Sequence, residues 1–339
     1  MKSIISILAF YLMISVGYAQ DIHFAQLSET PLLVNPALTG GYDGFYRGII
    51  NYRNQWPAMG KAFNSMMGSF DMPLKIKKKG SLFGAGVCFF SDKGGDSHFG
   101  STQAKLSVAT ILPAGASSNF SAGMQVGLAQ HSLDISTIQW PNQYDGFNYD
   151  PGIASNEQLN KNSFSFLDLG VGVNYSTSSR TSTLTGSEVN KFNIGASFSH
   201  ASMPLQKFYG GSKERQYPKI LVHSTVRKDI KGTKIGIVPS AVFMRQGPAM
   251  EIYLGGLIRY KIDEGTKVTN FSAESAFSGG LFYRFKDAIS AQVYFEFSDY
   301  AFGLSYDFNA SSYGEVKKSA GGFELSFKYA NMRGALRKK

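Results

Sequence analysis

Apolar and polar residues alternate with a period of two along most of this chain, and few folds accommodate such a pattern. From about Phe45 to Tyr329, a run of about ten residues that is apolar at every second position, followed by a turn, recurs some fourteen times. Successive strand side chains point to opposite faces, so each run predicts a strand with one apolar face. No stretch after residue 19 is long and apolar enough for a membrane-spanning helix. Since only helices and closed barrels span membranes, the pattern predicts an all-β transmembrane antiparallel β-barrel of the outer-membrane type.

The alternation predicts about fourteen strands. We expect them near residues 45–54, 61–72, 82–91, 101–111, 119–130, 164–176, 189–200, 218–228, 233–245, 249–262, 276–285, 288–298, 300–309 and 320–331. The polar faces of these strands carry charged residues, namely Asp168, Glu296, Asp307, Glu324 and Lys328. A basic residue that faces mid-bilayer lipid costs roughly 2–4 kcal/mol, and an acidic residue costs less. The polar faces are therefore predicted to line the lumen and the apolar faces to contact lipid.

The chain divides into four segments. Residues 1–19 have a basic start, an apolar stretch and small residues at the end, which predicts a signal peptide cleaved after Ala19 and export to the cell outer membrane. Residues 20–43 contain Thr30-Pro31 and Asn35-Pro36, and proline blocks ladder hydrogen bonds. This segment is either a periplasmic extension or a plug in the lumen. Residues 44–331 form the barrel, and residues 332–339 form a basic tail.

The parity of the strands predicts the orientation of the barrel. An even number of strands places both termini on the periplasmic side, so the longest connection, residues 131–163, is an outer loop. Two fairly long connections, residues 177–188 and 263–274, fall on the inner side. The inner turn 73–80 contains four basic residues, Lys75, Lys77, Lys78 and Lys79. It is either a solvated charged turn or a docking patch for an acidic periplasmic partner.

The sequence contains no recognisable catalytic or metal-binding set. Cys88 is the single cysteine, and no two of the five histidines are four residues apart. His131, Ser132 and Asp134 are triad residue types, but a triad is defined by spatial roles, and short spacing is no evidence for one. A hydrolase would need such a set at a lipid-facing rim, and none can be assembled. We therefore expect no enzyme activity and no cofactor. The net charge of +10 comes without a basic helix, so nucleic acid is not an expected partner.

Two groups of residues resemble a known family. The first is Asn35-Pro36-Ala37-Leu38-Thr39-Gly40 followed by Tyr52-Arg53-Asn54-Gln55-Trp56-Pro57. The second is Tyr283-Arg284 with Asp287-Ala288, then Gly303-Leu304-Ser305-Tyr306-Asp307-Phe308-Asn309 and Gly321-Gly322-Phe323-Glu324-Leu325-Ser326. In this order, they resemble the PorP/SprF family of the type IX secretion system. Residues 131–240 carry the strand pattern without a matching motif.

The resemblance implies a role in protein export. It implies a non-enzymatic outer-membrane barrel of Bacteroidetes-type bacteria that takes part in type IX secretion or the linked gliding machinery. Members help particular secreted proteins reach or stay at the cell surface, through the C-terminal domains of those proteins, or associate with periplasmic ring components. Beside outer-membrane lipid, these are the implied partners.

The motif residues have two interpretations. Arg53 is predicted to point into the lumen near the outer rim, and Asp307 and Glu324 are predicted to face inward and pair with lumen arginines. Gln55, Trp56 and Pro57 form the first outer loop or fold inward. These residues either fix the start of the barrel or contact a partner directly. As a rival function, a barrel of this size also suits a diffusion channel or a transporter of hydrophobic solutes.

Overall fold

The barrel is closed and has fourteen antiparallel strands, as the alternation predicts. The computed structural model describes residues 21, 23–56, 62–75, 82–95, 97–157, 161–183, 186–208, 213–263, 275–310 and 321–331. Each strand pairs with its neighbours in the sequence, and β14 pairs with β1 to close the sheet. The strands are β1 (Arg47–Gln55), β2 (Phe63–Lys75), β3 (Leu82–Gly94), β4 (Phe99–Pro113), β5 (Ser118–Ser132), β6 (Ser163–Thr183), β7 (Gly186–Ser199), β8 (Lys219–Asp229), β9 (Ile235–Gln246), β10 (Ala249–Asp263), β11 (Ser275–Arg284), β12 (Ala288–Phe297), β13 (Tyr300–Asn309) and β14 (Gly322–Ala330).

The two faces of the sheet divide as predicted. On β6, Leu167 is 56% exposed on the outer surface, whereas its neighbour Asp168 is 3% exposed and faces the lumen. The same alternation runs along β13, where Phe302 and Leu304 are exposed and Ser305 is buried. The outer surface is apolar, as contact with acyl chains requires, and buried charges lie within the barrel.

One predicted connection is wrong. Residues 177–188 do not form a long inner connection, because β6 and β7 remain paired as far as Thr183 and Gly186. The serine- and threonine-rich stretch continues the ladder instead of leaving it, since β-branched threonine suits a strand. The first strand also begins later than predicted, at Arg47.

The barrel has two rims that differ in their connections. The long-loop rim carries the β5–β6 loop, residues 133–162, and the β7–β8 loop, residues 200–218. The terminus rim is the opposite end, where Arg47 and Ala330 pair at the start of β1 and the end of β14. Parity predicts that the long-loop rim faces the cell exterior.

The described part of the chain contains only short helical turns. Within the N-terminal segment these are a 3-10 turn at Leu27–Glu29, the helix α1 (Pro31–Val34) and a 3-10 turn at Pro36–Leu38. Two more 3-10 turns, Ile135–Thr137 and Pro141–Gln143, belong to the β5–β6 loop. No helix among the described residues is sufficiently long and apolar to cross a bilayer. Several predicted features lie outside the described residues, namely the signal peptide, the tail 332–339, Pro57, Lys77, Lys78 and Lys79. Of Lys75, only the backbone is described, and it belongs to β2.

Candidate functional site in the barrel lumen

The N-terminal segment lies inside the barrel, which decides between its two predicted positions. We use the name plug for residue 21 and residues 23–42. Gly40 approaches the backbone of Gly84 and Pro73 at the terminus rim. At the other end, Asp21 contacts His200 and Lys219 at the long-loop rim. The plug therefore runs through the lumen from one rim to the other.

Inward-facing glycines make room for the plug. A Cβ atom on Gly84 would lie 1.9 Å from the Thr39 carbonyl oxygen, and one on Gly172 would lie 2.0 Å from Asn35 Oδ1. A Cβ atom on Gly123 would lie 2.5 Å from the Pro36 carbonyl oxygen, which is also too close. Glycine in a strand interior often marks the close approach of another backbone. These glycines thus form a track that admits the plug backbone against β3, β5 and β6.

Two residues of the predicted family motif hold the plug on this track. Asn35 Oδ1 accepts the Ala37 N–H at 2.9 Å and caps the Pro36–Leu38 turn, and its Nδ2 donates to Val173 O at 3.0 Å. Gly40 has φ +67°, a conformation that L side chains rarely adopt. Its N–H donates to Asp71 Oδ2 at 2.8 Å. The Asn35-Pro36 turn was predicted, but its position within the lumen was not.

Apolar side chains fill the middle of the lumen. Phe24 and Leu32 of the plug form one buried cluster with three inward-facing strand residues, namely Met67, Cys88 and Phe90. Val34 packs with Leu221 and Met244 on the other side. Burial of a side chain of this size is worth roughly 1.5–3 kcal/mol. The plug thus covers strand residues that would otherwise face water in an open lumen.

A buried charge cluster fixes the first described residue of the plug. The Asp21 carboxylate accepts hydrogen bonds from His200 and from Lys219, the latter at 3.0 Å. His200 also contacts Asp168, at 2.9 Å, and Lys105 lies 3.0 Å from the same carboxylate. We name these five residues the Asp21 anchor.

The anchor shifts the pKa values of its two members outside the strands. Burial raises the pKa of Asp21, but the charges of Lys219 and His200 outweigh burial and hold that pKa well below its usual value. Burial lowers the pKa of His200, and the carboxylates of Asp21 and Asp168 outweigh it, so the pKa is raised overall. Both shifts favour the charged forms of Asp21 and His200, as their mutual contact requires.

Arg53 points into the lumen near the long-loop rim, as predicted. It is 2% exposed, donates to the carbonyl oxygen of His23 in the plug, and lies 3.0 Å from Asp307 Oδ2. Arg284 lies 3.1 Å from the same oxygen. The prediction that Asp307 pairs with lumen arginines is confirmed, and the pairing joins β1, β11 and β13.

Glu324 has a different partner from the predicted one. Its two carboxylate oxygens accept the backbone N–H groups of Ala25 at 2.7 Å and Gln26 at 3.1 Å, instead of forming an arginine pair. Ala25 and Gln26 lie across the lumen face of β14, and their amides bind the carboxylate although Arg53 is its cross-strand neighbour on β1. Glu324 is thus a binding residue for the plug.

The remaining motif residues lie outside the lumen or at its rim. On the outer surface, the Tyr52 hydroxyl donates to Asn64 Oδ1 at 2.9 Å, and Asn54 Nδ2 donates to the same oxygen at 2.7 Å. Gln55 is the last residue of β1. Trp56 follows with φ 56°, and its N–H donates to Gly321 O at 2.9 Å. These four residues shape the rim where β1 ends.

Several lumen residues were missed because no motif contains them. Asp71 is buried and binds both the Gly40 N–H and Arg47, the latter at 2.8 Å. Tyr253 and Gln292 each donate to the Ala25 carbonyl oxygen at 2.9 Å. Strand parity alone could have placed these side chains inward, but it gives no sign of which of them would contact the plug.

The polar groups of the site bind the plug, and the described residues show no grouping that could hold a metal ion. His131 packs its ring against Phe164 and Phe166, with centroids 5.5 and 5.0 Å away. Asp134 accepts the Ser136 N–H at 3.1 Å as a turn cap. Their contacts in the structure are thus those of packing and capping residues.

Comparison with known proteins gives one family and several similar barrels. The family model described as "Type IX secretion system membrane protein PorP/SprF" matches residues 16–329. No curated protein matches the chain. The solved CymD monoaromatic hydrocarbon channel is similar at 9% identity and a TM-score of 0.44, over 93% of this chain and 94% of that chain. The translocator domain of the autotransporter NalP from Neisseria meningitidis is similar at 8% identity and a TM-score of 0.40, over 90% and 95% respectively.

Proposed function

Because the chain belongs to the PorP/SprF family of type IX secretion system membrane proteins, we propose that it is a non-enzymatic outer-membrane component of this machinery. It aids the export or surface attachment of specific secreted proteins. The observation that carries the proposal is the match over residues 16–329, which includes nearly the whole barrel and the plug. Its partners are secreted proteins, recognised through their C-terminal domains, or periplasmic ring components, in a Bacteroidetes-type cell whose gliding machinery is linked to export.

The filled lumen supports this role over that of a diffusion channel. The plug is held at both rims and in the middle, and its backbone is bonded to inward-facing side chains such as Glu324, Tyr253 and Gln292. A fourteen-stranded barrel lies between those filled by their own side chains and open porins, so a segment of this size obstructs the space. Partner contacts then fall on the rims and their loops.

Gene deletion tests the proposal. Deletion is expected to leave one or a few exported proteins in the periplasm, or to lose them from the cell surface, while other outer-membrane proteins stay at their usual amounts. Quantitative mass spectrometry of the surface, medium and periplasm measures this, with a complemented strain as the control. Unchanged export of every secreted protein would contradict the proposal.

Purification gives a second, independent measurement. The barrel purified from native membranes is expected to bring secreted proteins or ring components with it. The purified barrel in liposomes is expected to pass no small solutes. Rapid solute flux, together with a purified barrel that brings only lipid and no other protein with it, would favour a channel instead.

A further inference from the structure

The β5–β6 loop carries a hydrogen-bonded hairpin whose tip is an exposed phenylalanine. Phe147 is 94% exposed, the largest exposure among the large hydrophobic residues of the described chain. Tyr144 and Tyr149 bridge the two arms of the hairpin, with ring centroids 5.8 Å apart. We use the name Phe147 hairpin for residues 143–150. A single exposed apolar residue is common, but one at the tip of an ordered projection is a candidate contact residue.

The tip conformation is fixed by hydrogen bonds that do not involve the Phe147 ring. Asp145 Oδ1 accepts the N–H groups of Phe147 at 2.8 Å and Asn148 at 2.7 Å. Gln143, which is buried at the base, bonds the loop through Ile153 O at 2.9 Å. Such a preformed tip loses little conformational entropy on binding, which favours affinity.

The β5–β6 loop is acidic, although the protein as a whole is basic. Residues 133–162 contain four acidic residues and one basic residue, a net charge of −3, whereas the whole chain carries +10. The amides of Asn148 and Phe147 hold the pKa of Asp145 below its usual value, so the carboxylate beside the tip is charged at neutral pH. The acidic surroundings of Phe147 disfavour binding to a negatively charged lipid surface and favour binding to a basic protein surface.

We infer that the Phe147 hairpin is a docking site for an exported protein, in which Phe147 enters an apolar pocket that is rimmed by basic side chains. This inference rests on the proposed function, which places such a protein at this barrel. The hairpin lies at the long-loop rim, which parity assigns to the cell exterior. Exposed aromatic anchors of this kind dominate the affinity of many protein interfaces.

The test uses the exported protein that the deletion strain mislocalises, purified and bound to the detergent-solubilised barrel. Phe147→Ala is expected to weaken binding roughly tenfold or more, and Phe147→Trp is expected to retain it. Ile230→Ala is the matched control, because Ile230 is exposed in the β8–β9 turn at the opposite rim. Binding is also expected to weaken with added salt and with Glu157→Gln, since the loop charge contributes to association.

The outcomes separate this inference from the proposed function. If deletion mislocalises an exported protein but Phe147→Ala binds it as the wild type does, the docking site is wrong and the proposed function stands. If deletion mislocalises none, both fail. Binding of the barrel to protein-free vesicles of phosphatidylethanolamine and phosphatidylglycerol that depends on Phe147 would also overturn the inference, because the tip would then be a lipid contact.

Discussion

Arg53 and Arg284 share one carboxylate oxygen of Asp307, at 3.0 and 3.1 Å, within the barrel near the long-loop rim. All three side chains are nearly fully buried. Since β1 and β13 each pair with β14, this cluster bridges the site where the barrel closes.

Asp307→Asn is expected to destabilise the barrel by about 3–5 kcal/mol, because it removes the carboxylate that pairs with the buried Arg53 guanidinium and leaves Arg284 with Asp287 alone. Denaturant titration in detergent, followed by the mobility of the folded band, measures the loss. Asp43→Asn is the control, since Asp43 pairs with Lys191 at 3.1 Å on an exposed surface. An exposed pair contributes at most about 1 kcal/mol, so equal effects of the two substitutions would contradict the prediction.

Gly84→Ala is expected to displace the plug at the terminus rim. The new Cβ would meet the Thr39 carbonyl oxygen, and overpacking of this kind costs about 1–3 kcal/mol. Hydrogen exchange in residues 36–42 should increase. Gly68→Ala on β2 is the matched control, because a Cβ there has no neighbour within 4 Å among the described residues. Unchanged exchange in Gly84→Ala would show that the plug is not seated as described.

Asn35→Ala is expected to loosen the same end of the plug by a different mechanism. It removes the cap of the Pro36–Leu38 turn and the bond to Val173 O, and an unmade buried hydrogen bond costs about 1–3 kcal/mol. Limited proteolysis of the folded barrel reports the exposure of the plug. Asn54→Ala, which removes an outer-surface amide, should leave the cleavage pattern of the wild type.

Raising the pH is expected to weaken the Asp21 anchor. Because the pKa of His200 is raised in the folded protein, its contribution is complete below its ordinary value of 6.5 and is lost as the pH rises through the raised value. The pKa of Asp21 is lowered, so its contribution is present above 3.8 and is lost as the pH falls through the lowered value. The anchor is therefore strongest between these limits.

Hydrogen exchange of the Asp21 amide, which donates to Gln246 Oε1 at 2.8 Å, measures this after correction for intrinsic exchange. His200→Gln should remove the dependence on the alkaline side, while Lys219 still holds Asp21. A wild-type profile that stays flat from pH 6 to 9 would exclude His200 as the cause.

The barrel could be predicted from the sequence because the alternating direction of strand side chains also decides which of them contact lipid. Asp168, Arg53 and Asp307 could each be placed in the lumen from their immediate neighbours, since period two leaves a strand residue only two directions. The partner of Glu324 could not be predicted in this way. The partner belongs to a segment without periodicity, far away in the sequence. Nothing local to β14 indicates that backbone amides of the plug, and not Arg53 on the neighbouring strand, bind this carboxylate.

The position of the plug depends on residues that suit more than one local structure. Gly84 and Gly172 are also compatible with sheet curvature, which a barrel needs. Asn35-Pro36 is also compatible with a turn in solvent. Only the structure shows that these glycines and residues 35–39 lie against each other and form one contact.

The attachment of Ala25 and Gln26 to Glu324 has a consequence for biogenesis. The plug crosses the lumen and is bonded near both rims, and the pairing of β14 with β1 encloses it. We therefore expect closure of the barrel and seating of the plug to depend on each other during insertion into the membrane.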